Sequence, residues 1–457
     1  MRPAHEPSSV GIKRGGISVA FAYSLENARS LLAVVAIIGV AWLLSEKKTR
    51  FPLLTVIGAL AVQVALVLIF FAIPHSQDLL QGINAVVGGL GDATQHGAQF
   101  VFGFLAGGDQ PYAANAAAAP GSYPPFLFGF RVLPVILVIC TLAALLWHWG
   151  ILKTITQFFG MIFSRTMGLS GPLALGVASN IFMGMVESAM VVRAYLDKLS
   201  RSELFVLMCV GLANVSGSTM VAYVLILQGV LPNAAGHVLV ASIMSAPAGV
   251  LLGRVMIPEE KGALKSRDYT SDLKYGSTMD ALARGVHDGT MVVVNVAAFL
   301  IAFVSLVWIV NNVLAGVNIN GRYLMLDGQH VTLQLLFGYA FAPVAWLIGI
   351  PWGEAHAAGG ILGTKLFLTE FVAFIDLGHI PQAAMSERTR MILTYAVCGF
   401  ANVASVGILS GGLTALMPER RTEILGLAWR ALLPGFMATL MTASIVAALP
   451  PQIFAGH

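Results

Sequence analysis

Long apolar runs separated by short polar stretches organise this chain. Runs long enough to cross a bilayer, about 20 residues each, recur at 29–45, 52–73, 126–150, 204–228, 237–253, 291–314, 388–409 and 425–449. Repeated spans of this kind predict an all-α integral membrane protein, a bundle of about eight transmembrane helices rather than a barrel. Two further stretches, 169–197 and 332–376, are apolar but interrupted in the middle by polar or Gly-rich sequence. Neither reads as one clean span. A re-entrant hairpin is the natural alternative, with two half-helices that enter and leave on one side and backbone ends buried by protein or water.

Composition agrees with the pattern: 57% of the 457 residues are hydrophobic and 11% charged, against roughly 25% charged in soluble domains. The net charge of +4 matters less than where the cations fall, because short cytoplasmic loops collect Lys and Arg. Lys47, Lys48 and Arg50 follow the first span, whereas residues 51–130 hold no Lys or Arg. The first loop is therefore expected inside and 107–125 outside, with Lys153, Arg165, Lys198, Arg201 and the 254–276 segment inside again. The basic residues carry no nucleic-acid signal. Residues 1–28 lack a compact apolar region and a cleavage site, and read as a mobile leader or surface helix. Cys140, Cys209 and Cys398 lie within apolar runs and are expected to pack as small hydrophobes, forming neither disulfide nor metal site. The mixed-charge stretch 259–289 reads as a surface or interfacial helix.

The chain also repeats itself. After the first interrupted stretch comes "SRSELFVLMCVGLANVSGS" (200–218), and after the second "SERTRMILTYAVCGFANVASVG" (386–407). Both open with a capping Ser and reach Gly-x-Ala-Asn-Val, at Gly211–Val215 and Gly399–Val403. Glu187 precedes Asn214 by 27 residues and Glu370 precedes Asn402 by 32. By the cation count the first hairpin starts inside and the second outside, which makes the two units an inverted repeat, the arrangement that places transporter sites at the repeat interface. Arg388 and Arg390 then fall on the outer side, against the charge rule.

Isolated polar groups within these segments are the site candidates. An ionised carboxylate inside a membrane costs several kcal/mol, so Glu187 and Glu370 should face a wet cavity or a partner. Structural pairing with Arg193, Lys365 or a helix terminus is the alternative. Glu354 lies nearer a loop end and reads equally well as structural. Gly and Ser crowd Asn214 and Asn402, so the helices are expected to unwind there, exposing oxygens to a small cation or a polar substrate; interhelical packing is the blander reading. Ser405 shares the helical face of Asn402. His237, His287 and His356 read as ordinary imidazoles near loops or span ends. An intramembrane hydrolase lacks a Ser-His or Asp-Asp pair at credible spacing, while a gated membrane module with similar hairpins and no substrate specificity remains open.

Three segments carry a resemblance: "SNIFMGMVESAMVVRAYLDKLSRSELFVLMCVGLANVSGS" (179–218), "IGIPWGEAHAAGGILGTKLFLTEFVAF" (348–374) and "YAVCGFANVASVGILSGGLTALMPERR" (395–421). In order, and over most of the chain after residue 125, they resemble the concentrative nucleoside transporter family. The resemblance implies a homotrimer in the cell inner membrane, multi-pass, importing nucleoside with a cation by an elevator-like movement. It implies a tail at 1–28, scaffold helices and an interfacial segment at 29–168, a first transport repeat at 169–253, and a cytoplasmic helix with scaffold span six at 254–331. A second transport repeat at 332–449 and a tail at 450–457 follow. Glu187 matches the acid that faces the base; Glu370, Asn402 and Ser405 match the groups that hold the ribose; Phe400 matches an aromatic beside the substrate. Met185 and Val186 stand where the family has a Gln-Thr pair, so base preference is open. Asn180, Asn214 and the carbonyls near Met183 and Val215 match the sodium position, with Asn214 replacing the usual Ser and Ala189 the usual Pro. Sodium is the expected coupling ion, a proton carried by Glu187 the alternative, and no cofactor is implied.

Overall fold

The computed structural model describes residues 10–14, 17–21, 25–73, 76–109, 127–259, 269, 271, 273–319, 322–323, 325–326, 329–450 and 453–454. Most of the expected external loop 107–125, and 260–268 of the expected cytoplasmic stretch, lie outside them. The N-terminal segment corrects one expectation: β1 (Val10–Arg14) pairs antiparallel with β2 (Ile17–Phe21), Val10 opposite Phe21. Gly15-Gly16 lies between them in sequence, a composition favoured in two-residue hairpin loops.

The first half supplies peripheral helices. These are α1 (Leu25–Leu43), α2 (Leu53–Val67, widening into a π segment at Leu68–Ala72), α3 (Ser76–Phe102), and α4 (Phe128–Arg131), which runs into α5 (Leu133–His148). The helix α6 (Ile151–Met167) ends at Gly168 in the left-handed conformation. There the chain enters the first hairpin, α7 (Gly171–Ser179) and α8 (Glu187–Val191), with its tip at 180–186 and a 3-10 segment at Arg193–Lys198.

A broken span follows: α9 (Arg201–Ala213) and α10 (Gly217–Leu227). Ser200 and Glu203 close a capping box at the start of α9, and the Glu203 carboxylate also accepts from Ser170 Oγ at 2.6 Å. One side chain thereby ties the hairpin base to the helix that follows. Next is α11 (Ala234–Met256), whose Gly249 and Gly253 meet α9 closely: an added Cβ would lie 3.1 Å from the Cα of Val210 or Val206. Small residues four apart allow this backbone approach.

From Thr278 onward the expected interfacial stretch is continuous with the sixth span in one 39-residue helix, α12 (Thr278–Gly316), capped by Ser277. Its early glycines, Gly285 and Gly289, serve packing rather than a break, since a Cβ there would lie 2.7 Å from Thr141 Cα and 2.9 Å from Leu137 Cα on α5. Two short strand pairs come next, β3 (Asn318–Ile319) with β4 (Arg322–Tyr323) and β5 (Met325–Leu326) with β6 (Gln329–His330). Among the described residues these ribbons and the β1–β2 pair are the only strands.

The second interrupted stretch, expected as one hairpin over 332–376, contains more than that. The helix α13 (Leu333–Leu347) bends by 118° into α14 (Trp352–Phe367). Gly349 at the bend has φ 113°, a region open mainly to glycine. The hairpin itself is α14 with α15 (Glu370–His379), its tip at Leu368–Thr369. The next span is broken into α16 (Glu387–Val397) and α17 (Val403–Leu416), and α18 (Arg421–Ala448) completes the bundle. Among the described residues seven helices are therefore long and apolar enough to cross a membrane. The expected span 388–409 is not among them because residues 398–402 interrupt it.

Burial separates core from periphery. The 201–227, 234–256 and 418–448 segments are 89–94% buried across a membrane-length window, against 6% for α12. Ile301, Trp308 and Val313 of α12 are 70%, 67% and 63% exposed, an apolar surface suited to lipid or another subunit. Arg388 and Arg390, which oppose the charge rule, hold carbonyls: Arg388 those of Gly349 and Ala447, Arg390 those of Met385, Leu377, Ile380 and Pro381. Their side chains stitch helix ends together and are not free to report orientation.

Candidate transport site

The two hairpin tips and the two broken helices surround a cavity of about 230 Å³ that α5 and α12 close from the other side. Glu187, Glu370, Asn402, Ser405, Phe400, Met183, Met185 and Val186 all line it. The structure thus brings every expected substrate-binding residue to one place.

Each is positioned by its local sequence. Thr369 Oγ1 accepts from Val372 N and starts α15, so Glu370 falls on the first turn, where the helix dipole favours a carboxylate. Tyr223 O–H donates to Glu370 Oε1 at 2.8 Å and Asn402 Nδ2 donates to Oε2 at 2.6 Å. Asn402 Oδ1 in turn accepts from Ser405 N at 2.8 Å, capping α17. Tyr223 is fully buried and stacks on Phe374 with ring centroids 4.4 Å apart. Sequence reasoning missed it, because a tyrosine in an apolar span reads as packing.

Glu187 opens α8 and its carboxylate folds over Gly184, where any Cβ would collide with Oε2. Val186 packs against Gly412 of α17, and Met185 against Gly211 of α9. Ion pairing of the acids with Arg193 or Lys365 does not materialise, since among the described residues neither acid has an ion-pair partner within 4.0 Å and Lys365 donates instead to Ala396 O and Thr439 Oγ1, but both acids do stand at a helix start. The scaffold side of the cavity adds Cys140, Tyr275, Asp288 and Asn295. Tyr275 and Asp288 went unread because 259–289 looked like a surface helix.

Of the residues matched to sodium, Met183 lines the cavity, whereas Asn180, Asn214 and Val215 lie outside its lining. Asn180 and Asn214 are each 1% exposed, and Asn180 Nδ2 and both amide atoms of Asn214 have no hydrogen-bond partner. Gly217 N donates to Phe182 O at 3.2 Å, so the first hairpin tip abuts the α9–α10 break, and Phe400 N donates to Asn214 O at 3.1 Å, joining the two breaks. Ser242 Oγ donates to Val215 O at 3.4 Å. An unpartnered polar atom so deeply buried costs about 1–3 kcal/mol; of the three, only Asn214 Oδ1 is an acceptor that a cation could satisfy, the two Nδ2 groups being donors. Amide and carbonyl oxygens without a carboxylate suit a hard cation of low charge.

Four other residues resolve. Glu354 is structural: it accepts from Ser386 N at 3.2 Å and Ser386 Oγ at 2.9 Å, at the start of α16. His237 is not an exposed imidazole; it is 5% exposed, stacks on Phe71 at 4.9 Å and lies 3.2 Å from Tyr395 O–H through Nδ1. His356 packs edge-on to Tyr339 at 4.4 Å, whereas His287 is exposed.

Comparison with known proteins places this geometry. Residues 32–105 and 237–447 match the family models described as the N-terminus and C-terminus of Na+ dependent nucleoside transporters, and residues 129–229 match one described as a nucleoside-recognition gate. An uncharacterized transporter of Bacillus subtilis, YutK, is 38% identical over 91% of this chain and 97% of its own length. The nucleoside permease NupC of Helicobacter pylori is 32% identical over 91% of this chain and 96% of its own. The structure of CNTnw in an inward-facing substrate-bound state superposes with a TM-score of 0.82 at 32% identity, covering 93% of this chain and 98% of that one. A double variant of CNTnw in an outward-facing state gives 0.83, at 32% identity and over 93% and 97%. Shared sequence along nearly the whole chain, with the fold to match, makes this protein a member of the concentrative nucleoside transporter family, multi-pass membrane proteins that move nucleosides with a cation and are not enzymes.

Proposed function

We propose that this protein imports nucleosides across a bacterial cytoplasmic membrane, coupled to sodium, with Glu370, Asn402 and Ser405 holding the ribose and Glu187 facing the base. The observation that carries the reading is the Glu370 carboxylate, presented to the cavity by Tyr223 and Asn402. Vicinal hydroxyls donate to a carboxylate, and a planar base fits the apolar wall of Phe400, Met185 and Val186. Sodium is assigned to Asn180, Asn214 and the carbonyls near Met183 and Val215, supported by the unpartnered Asn214 Oδ1 there. The repeats 169–253 and 332–449 would move together against a scaffold of 29–168 and 254–331, carrying the cavity past α5 and α12. A homotrimer is supported by the exposed apolar face of α12.

Purified protein in proteoliposomes tests this with labelled uridine and adenosine. Saturable, gradient-dependent accumulation of chemically unchanged nucleoside is expected. Non-saturable leakage or a chemically altered nucleoside contradicts it.

A further inference from the structure

The two repeats correspond at more than the acids and the Gly-x-Ala-Asn-Val segments. Ala-Ser-Ile-Met-Ser-Ala at 241–246 of α11 answers Ala-Thr-Leu-Met-Thr-Ala at 438–443 of α18, which pairs Ser242 with Thr439. In the first repeat the Ser242 hydroxyl meets Val215 O, one of the oxygens assigned to sodium. In the second, Thr439 Oγ1 accepts from Lys365 Nζ at 2.5 Å. The same ammonium donates to Ala396 O at 2.8 Å and lies 5.2 Å from the centroid of the Phe436 ring.

Lys365 is 0% exposed and has no carboxylate within 4.0 Å among the described residues. It stands five residues before Glu370, in the interval where Asn180 and Met183 stand seven and four before Glu187. The carbonyl it meets is one the broken helix leaves orphaned. In an unbroken helix Ala396 O would accept from Phe400 N, but that N–H goes to Asn214 O instead. Oxygens from a helix break, a hydroxyl on the following span and an aromatic face surround a positive charge with dipoles, as they would an ion.

We infer that Lys365 is a tethered cation, its ammonium filling in the second repeat the place that sodium takes in the first. The inference rests on the sodium reading of Asn180 and Asn214. A broken membrane helix leaves carbonyls that call for a positive partner; one repeat draws it from solution and the other carries it on a side chain. Cutting Lys365 back then vacates an oxygen-lined pocket competent for a small monovalent cation. This separates the role from simple packing.

The test uses full-length Lys365→Ala and Lys365→Met in detergent, with choline balancing ionic strength. Losing a charge-assisted hydrogen bond and orphaning a buried carbonyl should weaken uridine binding roughly 10- to 100-fold in both variants. Ethylammonium chloride should restore binding in Lys365→Ala, whose void it can enter, and leave Lys365→Met and wild type unchanged. If Lys365→Ala folds only when prepared with ethylammonium, that recovery is the same result; aggregation despite the amine overturns the inference. So does failure of both ethylammonium and sodium to restore binding, or equal restoration of Ala and Met variants. Sodium-dependent stabilisation of wild type, lost in Asn180→Ala, reports the sodium assignment separately. A wild type indifferent to sodium sinks that assignment, whereas failed amine rescue in a sodium-responsive protein sinks the tethered cation alone.

Discussion

Replacing Tyr223 by Phe isolates a single hydrogen bond at the centre of the site. The rings that stack on Phe374 and meet Phe371 at 4.8 Å are kept, and only the O–H that donates to Glu370 Oε1 is lost. With Tyr223 on one oxygen and Asn402 on the other, the carboxylate is fixed in one plane and each oxygen keeps a lone pair for the cavity. In the variant, Oε1 is left buried without its donor, and the group can turn or take up a proton. A hydrogen bond to a charged group contributes roughly 1.5–3 kcal/mol. At about 1.4 kcal/mol per tenfold change, binding should weaken by roughly 10- to 140-fold. Because Glu370 is assigned to the sugar that all nucleosides share, uridine and adenosine should lose affinity by the same factor. Isothermal titration with both ligands measures this, with thermal melting as a check that the fold survives. Binding within about twofold of wild type, or a loss confined to one base, would refute the reasoning.

Four further substitutions probe separate links. Glu370→Gln should weaken every nucleoside alike, whereas Glu187→Gln should reorder the bases; competition binding that showed Glu370→Gln altering base ranking alone would reverse the assignment. Glu354→Ala removes the acceptor for Ser386 at the head of α16 and should lower stability by about 1 kcal/mol, as other lost helix-start bonds do, without changing affinity; an affinity loss with an unchanged melting temperature would move Glu354 into the site. Gly349→Ala places a Cβ against Ser30 Oγ and Ala447 Cβ at φ 113°, so it should destabilise by at least about 1–3 kcal/mol, and an unshifted thermal transition would show that the bend relaxes freely.

Polar residues marooned in apolar sequence made most of the site readable. Glu187, Glu370, Asn214 and Asn402 stand out because an unpartnered polar group in a membrane is costly, and all four reach a hairpin tip or a helix break. Tyr223 and Lys365 did not stand out as site elements, one because its ring packs like any core aromatic, the other because its carbonyl partner exists only after α16 breaks. Asp288 and Tyr275 were hidden by a different effect. Their mixed-charge surroundings resemble a surface helix, and only the close Gly285 and Gly289 contacts with α5 bring that segment to the cavity. The second hairpin was placed too early in sequence because α13 and α14 are both apolar, and the bend at Gly349 depends on a backbone conformation that hydropathy does not register.

Sodium held at Asn180 and Asn214 is the proposed driver of nucleoside uptake. Proteoliposomes with an inward sodium gradient at equal pH measure it most directly, using labelled uridine. Accumulation above equilibrium is expected in wild type, with loss of the sodium response in Asn180→Ala. Accumulation driven by a pH gradient in sodium-free buffer, unchanged in Asn180→Ala and lost in Glu187→Gln, would contradict it and transfer the coupling to Glu187.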